Sequence, residues 1–591
     1  MSANAETTQP LDPVAAGRFG WIVVWAPLAV LTLLAWPIGR LDAVLPGKWL
    51  GNLADDPYPH LRGAALVAVC GMLCGLHVLE SARQVRVSGL ALFGLALAFG
   101  AARFGLAELS DTFAAKAALT LGAGSLALIV AGASMTERAR ETFGRGLMAI
   151  SVLVAGRALA GPLLGDDHFA GVIGNTGPVS QAALPGALIG LASLLGPQRL
   201  RTGLATRLLA LAAIGTFLAH AGLAPVLAGG VCFALAAGTA AARTPSGLRA
   251  GFAAAALVGL AVAAAPNVDS SDAPTSADPT LELAEVTGAP SAGGAGNLGG
   301  ARVRLSLWRR AYALLRVHPW GVGPGQLQAQ YPRFRDEAER TASDLSAGGP
   351  TEVEHLHNDP LQALAELGLL GGGAWVLALL LAGLSCWRLL GDPNAGARGP
   401  LALGLLGLLA NACLHTPFTV QPLAALIGAL LLGNVLARPA SPLPPLVSSL
   451  QRCAPIVALA TFPFVLQLSS VGWAMTNYVR ATRTIAERLE EVDGQIRTDD
   501  TVLRDASLTV RRALDRALDV APDATPALFC EARLSLQASA EERIAAWNAV
   551  RVHRPYSWEA AMGLSRAYDA AGQPTESRAM HDLAMQIAPG R

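Results

Sequence analysis

The chain has 591 residues, of which 52% are hydrophobic and only 15% charged, with a net charge of +1. Soluble domains carry about 25% charged residues, so this composition excludes an ordinary globular protein, and the balanced charge gives no basic field for nucleic acid. The seven Cys lie mostly in apolar runs, without the spacing of a disulfide framework or a zinc site.

In chain order, the first apolar run, 20–38, is long, ends at Trp36-Pro37 and lacks a small-residue cleavage site. It reads as a membrane helix rather than a cleaved leader. About 20 apolar residues cross a bilayer, and the further candidates are 62–80, 87–105, 116–134, 146–164, 180–197, 207–222, 225–242, 250–266, 363–387, 399–416, 419–437 and 454–475. As one helix, 207–242 would be about 54 Å long, too long for a bilayer, and Gly222 and Pro225 offer a turn within it. The expected fold is all-α: a polytopic bundle of about 12–13 transmembrane helices. Residues 1–266 hold the first nine, 267–362 form a large loop, 363–475 hold the rest, and 476–591 form a polar helical tail.

Loops after even-numbered spans carry most of the arginines, Arg83, Arg86, Arg138, Arg140, Arg388, Arg398 and Arg438 among them, whereas odd-side loops hold Arg40, Lys48, Arg62, Arg103 and Lys116. By the positive-inside rule the even side and the N-terminus are cytoplasmic. The large loop and the tail then lie outside. Arg157 falls in the outer half of apolar span five. A membrane arginine there is either functional or snorkels to the interface, where Asp166 or Asp167 could pair with it.

Within the large loop, 267–300 is rich in Ser, Asp, Pro, Gly and Ala and reads as a flexible lead-in. From Arg302 onward, Val303, Leu307, Trp308, Ala311 and Leu314 recur at helical spacing, with Arg302, Arg304, Arg309, Arg310 and Arg316 between them. Such a basic amphipathic helix either lies in the membrane interface or offers guanidinium groups to an anion. A tight glycine turn follows, His318-Pro319-Trp320-Gly321-Val322-Gly323-Pro324-Gly325, without the lysine of a phosphate-binding loop. The loop closes with His355-Leu356-His357-Asn358-Asp359-Pro360 and then Glu366-Leu367-Gly368. An imidazole at the mouth of a membrane helix can act as a base near neutral pH. Two histidines are too few to hold a metal.

These elements, in this order, resemble the O-antigen ligase and O-antigen polymerase superfamily of bacterial membrane glycosyltransferases. The matching residues are Arg304 and Trp308, the turn at 319–325, His357-Asn358 and Glu366-x-Gly368, within about 145–437. Weaker matches are Gly174-Asn175 and the His415, Phe418, Pro422 element, which lacks the Asp that often follows that His. The resemblance implies a GT-C-like enzyme of the inner (cytoplasmic) membrane. It would transfer a glycan from an undecaprenyl-diphosphate carrier to a hydroxyl of a glycan, lipid or protein acceptor, with inversion and without metal or other cofactor. It further implies His357 as base with His355 in reserve, Arg157 and Arg304 at the diphosphate, and Asn358, Glu366 and Trp308 in support.

In the tail, Pro522, Pro555 and Pro589 close helices at a period of about 34 residues, which suggests tetratricopeptide-like repeats and a binding platform for a periplasmic protein or an acceptor. Two other functions fit parts of the sequence. A transporter or flippase of lipid-linked saccharides would need charged or broken helices in several spans. A non-catalytic scaffold displaying the tail would leave the Arg and His cluster without a purpose.

Overall fold

The computed structural model describes residues 21–35, 59–81, 85–106, 109–160, 176–195, 203–220, 297–340, 353–419, 421–439, 445–490, 500–535 and 538–587. The described residues are almost wholly helical, as expected. In order they form α1 (Ile22–Ala35), α2 (Pro59–Ser81), β1 (Val85–Val87), α3 (Leu90–Leu106), α4 (Thr112–Ala133), α5 (Glu137–Ala160), α6 (Thr176–Leu195) and α7 (Leu204–His220). The loop supplies α8 (Asn297–Val317), and α9 (Asp359–Leu390), α10 (Arg398–Ala412), α11 (Pro422–Leu436), β2 (Ala437–Pro439) and α12 (Pro445–Ala460) follow. The chain closes with α13 (Phe462–Glu490), α14 (Asp500–Val520), α15 (Thr525–Leu534), α16 (Ala540–His553), α17 (Trp558–Ala570) and α18 (Pro574–Ile587). The break expected at Gly222–Pro225, the spans 225–242 and 250–266, the lead-in before Asn297 and Gly174-Asn175 lie outside the described residues.

The protein is an integral membrane protein. By length and apolar character, Thr112–Ala133 and Asp359–Leu390 can each cross a bilayer, and shorter apolar helices include Leu90–Leu106 and Leu423–Leu436. The span expected at 454–475 is instead two helices bent by 45°. The cause is local: Pro463 in the first turn of α13 has no amide hydrogen to continue the preceding ladder, and the Thr461 hydroxyl turns back to the Ala458 carbonyl at 2.8 Å.

Helix α4 sits at the centre, held between α2 and α11 by small residues. A Cβ on Gly124 would stand 2.6 Å from the Ala68 Cα, so only glycine lets these backbones approach. A two-stranded antiparallel ribbon, with Arg86 opposite Arg438, ties the end of α2 to the end of α11. Arg140 reaches the Asn434 side chain and Arg398 caps carbonyls of Asn434, Val435 and Ala437 at the same end of the bundle. The basic loops therefore gather at one end. The N-termini of α4, α9 and α11 lie at the other, where the large loop packs its own small core of Leu307, Ala311, Leu314, Tyr331, Val353 and Leu356.

The tail is continuous with the bundle. The boundary expected at 475/476 falls inside α13. One hydrophobic core joins Ala64, Ala68 and Phe113 of the bundle to Leu468, Val471 and Met475 of α13 and to Val510, Leu514 and Ala517 of α14.

Candidate functional site

Helix α8 forms because its apolar residues fall on one face. Leu307, Ala311 and Leu314 are buried while Arg309 and Arg316 are exposed. The helix begins at Asn297, several residues before the expected start at Arg302. Trp308 fixes its height against the loop's end, donating its indole N–H to the Leu356 carbonyl at 2.8 Å. Arg304 lies half-buried on the same helix, and burial lowers its pKa from the ordinary guanidinium value.

The glycine turn and the Glu366-x-Gly368 element, separate in the sequence reading, are one unit. Amides of Val322 and Gly323 donate to the carbonyls of Ala365 and Glu366 at 3.0 and 2.9 Å, and the Leu369 amide donates to Pro319 at 2.9 Å. The Glu366 carboxylate accepts from the Gly325 amide at 2.8 Å and from Gln362 at 3.1 Å. Helix α9 breaks at Gly368, whose φ of 68° and ψ of −172° no other residue adopts readily. A Cβ there would lie 2.6 Å from the Gly321 amide nitrogen. The membrane part of α9 thus starts after Gly368, and 359–367 form a short helix at the bundle's mouth.

That short helix presents the histidine segment. Asn358 is its N-cap, accepting from the Leu361 amide at 2.9 Å while donating to the Cys413 carbonyl at 2.9 Å. Asp359 follows, buried, and accepts from the Phe418 amide at 2.8 Å and the Thr419 hydroxyl at 2.6 Å. The Asp359 amide donates to the His415 carbonyl at 3.2 Å. These bonds carry the 413–419 loop, and His415 with it, to the His357 segment. His357 itself has φ 50°, the single non-glycine residue with positive φ among the described residues.

The electrostatics tie these groups together. His357 opens to solvent at one face but is otherwise ringed by protein, and this burial, followed by the charge of Arg304, lowers its pKa to about 4. His415 falls to about 4 by burial, then by Arg304 and His357. His355 falls to about 3 by burial, then by His357 and Arg554. Three neutral imidazoles therefore lie near one another at this end of the bundle, with Arg304 close to His357 and His415. His415, a weaker match in the sequence, lies close to Arg304 and His357. Arg157 stands 20 residues along α5 from Glu137, about 30 Å at 1.5 Å per residue, toward this end of the bundle; its side chain lies outside the described residues.

Residues 201–376 match a family model described as O-antigen ligase. This segment is similar to the O-antigen ligase family. It contains Arg304, Trp308, the glycine turn, both loop histidines, Asn358 and Glu366, whereas Arg157, His415 and the tail lie beyond it. No curated protein matches the chain.

Beside His355 a cavity of about 270 Å³ runs between α3, α4, α9 and α11. Its polar end holds Asp111, Glu354, His355, Gln362, Glu366 and Arg554, and its deeper wall is apolar, with Phe93, Leu97, Phe113 and Leu126. Sequence reasoning missed Asp111, Gln326 and Arg554. Asp111 caps α4 through the Ala114 amide at 2.9 Å and pairs with Arg554 at 2.8 Å. Gln326 exchanges two bonds with the Asp111 backbone, at 2.9 and 2.6 Å. A Ser-Asp-Thr run before an apolar helix signals a cap, but nothing in the sequence signals a partner 443 residues away.

Proposed function

We propose that this protein transfers a glycan from a polyprenyl (undecaprenyl) diphosphate to the hydroxyl of an acceptor, at the outer face of the cytoplasmic membrane. One observation carries the reading: in and beside the segment similar to the O-antigen ligase family, Arg304 acts on His357 and His415 in a recess at the end of the bundle opposite the basic loops. Arginine-rich loops favour the cytoplasmic side, so the recess faces outward, where no nucleotide sugar is available and a lipid diphosphate is the activated donor.

In this mechanism the acceptor hydroxyl attacks the anomeric carbon while its proton passes to His357. The C–O bond to the diphosphate breaks in the same displacement, which inverts the anomeric centre, and the lipid diphosphate leaves with the bonding electrons. A guanidinium fixed at the growing phosphate charge stabilises this transition state. Arg304 fills that role, with Arg157 as the second cation and no metal required. His357 is neutral at pH 7 and free to take a proton. The negative diphosphate beside it raises its proton affinity toward the range where a base works best. His355 is the reserve base, Asn358 and Trp308 hold the segment in place, and Glu366 holds the glycine turn against it. The tail is a platform for an acceptor or a periplasmic protein.

The test is transfer by purified protein in liposomes from a lipid-diphosphate oligosaccharide to a panel of acceptors, with chelator present. His357→Ala should lower the rate by about 100-fold or more in protein that still binds donor, and Arg304→Ala should do so at the same step. Product on a second lipid-linked glycan identifies a polymerase; product on a lipid core or on protein identifies a ligase of that acceptor. Full activity in His357→Ala would sink the base assignment, and loss of all transfer on adding chelator would sink metal independence.

A further inference from the structure

The cavity next to the histidines is closed on one side by a residue of the tail. Arg554 follows α16, is 8% exposed, and lines the polar end of the cavity together with His355 and Gln362. Its Nε donates to Asp111 at 2.8 Å, but its Nη1 is buried and has no hydrogen-bond partner among the described residues. Buried guanidinium nitrogens are rarely left so.

The other charged groups of the cavity wall point to what Nη1 lacks. The Asp111 oxygens are occupied by the Ala114 amide and by Arg554. Those of Glu366 are occupied by the Gly325 amide and Gln362. Glu354 is exposed, and His355 is neutral near pH 7. The unanswered charged group on the wall is thus a donor, and the complementary ligand atom is an acceptor. A charged donor edge answers an anionic oxygen best, since Arg and phosphate pair in a forked, charge-assisted way. Below it the cavity is apolar, which suits hydrocarbon and excludes a free ion.

We infer that Arg554 of the C-terminal helical domain is a ligand-binding residue, which holds a phosphate oxygen of an amphiphile whose hydrocarbon chain enters the apolar cavity between α3, α4, α9 and α11. The inference deepens the proposed function, since the lipid-diphosphate donor is such an amphiphile. It makes the tail a part of the substrate site as well as a platform.

A structural role must be separated from this one. Asp523 lies on the same docking surface, paired with Lys116 at 2.8 Å and with Thr112, but it does not line the cavity. Asp523→Asn therefore weakens docking without touching the ligand. Arg554→Lys keeps a charge for Asp111 but lacks the second edge of the fork.

The experiment measures binding of farnesyl diphosphate to full-length protein in detergent, by tryptophan fluorescence and by the shift in Tm. Farnesol and inorganic diphosphate are the two control ligands. Wild type should bind farnesyl diphosphate more tightly than either control. Arg554→Lys and Arg554→Ala should each weaken it by about tenfold and lose the preference over farnesol, while Asp523→Asn stays within about twofold. Equal losses in Asp523→Asn and the Arg554 variants, or no preference over farnesol in wild type, would overturn the inference, as would wild-type affinity in Arg554→Lys. Because binding is read without turnover, a protein that binds in this pattern yet transfers nothing overturns the proposed reaction and leaves the Arg554 site standing. A protein that transfers normally with Arg554→Lys affinity unchanged does the reverse.

Discussion

His357 combines two properties that oppose each other. Its left-handed backbone, at φ 50°, costs a non-glycine residue roughly 1–2 kcal/mol, and its imidazole is kept neutral in a recess that it could leave for water. Strain of this kind persists where surrounding contacts over-determine it, and Asn358 and Asp359 supply those contacts. Replacing His357 with Gly should therefore leave Tm unchanged or slightly raised while transfer falls by about 100-fold or more. A stability loss matching a buried-core mutation would show that the side chain packs rather than reacts. The histidines' share of the pH response has a definite sign. In the unfolded chain a histidine titrates near 6.5, whereas His357 and His415 hold their folded pKa near 4 and His355 near 3. Above about pH 6.5 both states are neutral and nothing is lost; as pH falls from there toward 4 the unfolded state takes protons that the folded state refuses, and stability declines. Burial raises the Asp359 and Glu366 carboxyls to about 7, which works in the opposite direction over the same window, so the histidine share is read by difference. Between about pH 6.5 and 4.5, thermal melts in detergent should show His357→Asn and His415→Asn gaining Tm relative to wild type as pH falls.

At the scale of elements, the joint between the glycine turn and the break in α9 sets where the recess lies. Gly321 and Gly368 each occupy positive φ, and each would drive a Cβ into the other's backbone. Gly368→Ala should cost about 2 kcal/mol or more and reduce transfer, because the histidine segment hangs from the same short helix. Gly373→Ala, on the same helix with open space around it, should be neutral or stabilising by up to about 1 kcal/mol; the two melts side by side test the joint. Helix α8 was legible because its period alone fixes the buried face, and so was the apolar character of α4 and α9. The break at Gly368 was not: an isolated glycine inside an apolar run is compatible with a continuous helix, and only the approach of Trp320 and Gly321 forces it open. The bend at Thr461 hid for the opposite reason, since Pro463 is visible but a proline in a membrane helix need not interrupt the span.

Across the whole molecule, the sequence foretold a bundle with a basic end, and the Arg86–Arg438 pairing in the ribbon agrees with loops that share a side. It did not foretell that the tail is joined to that bundle. Separate domains are inferred from a change of composition, and 476–591 is plainly more polar, yet Ala513, Leu514 and Ala517 of α14 share a core with Ala64 and Phe113. Removing residues from 500 onward should therefore lower the Tm of the membrane part and broaden its elution on size exclusion. An equally stable truncated protein would make the tail a detachable module. The candidate site was legible only where its residues lie within one stretch, from Arg304 to Glu366; His415 was half-visible, and the groups from Asp111 and Arg554 needed the fold.

The pair between Asp111 and Arg554 also imposes an order in time. Its partners are 443 residues apart, and chains are synthesised and begin to fold from the N-terminus. Asp111 is placed in the first part of the protein to emerge, and its guanidinium arrives only when nearly all of the chain has been made. Until then the wall between α4 and the histidine segment is missing a side. A nascent or prematurely ended chain thus carries an unfinished site, which is completed at the close of biosynthesis, in the step that docks α16 and the segment after it against the head of α4.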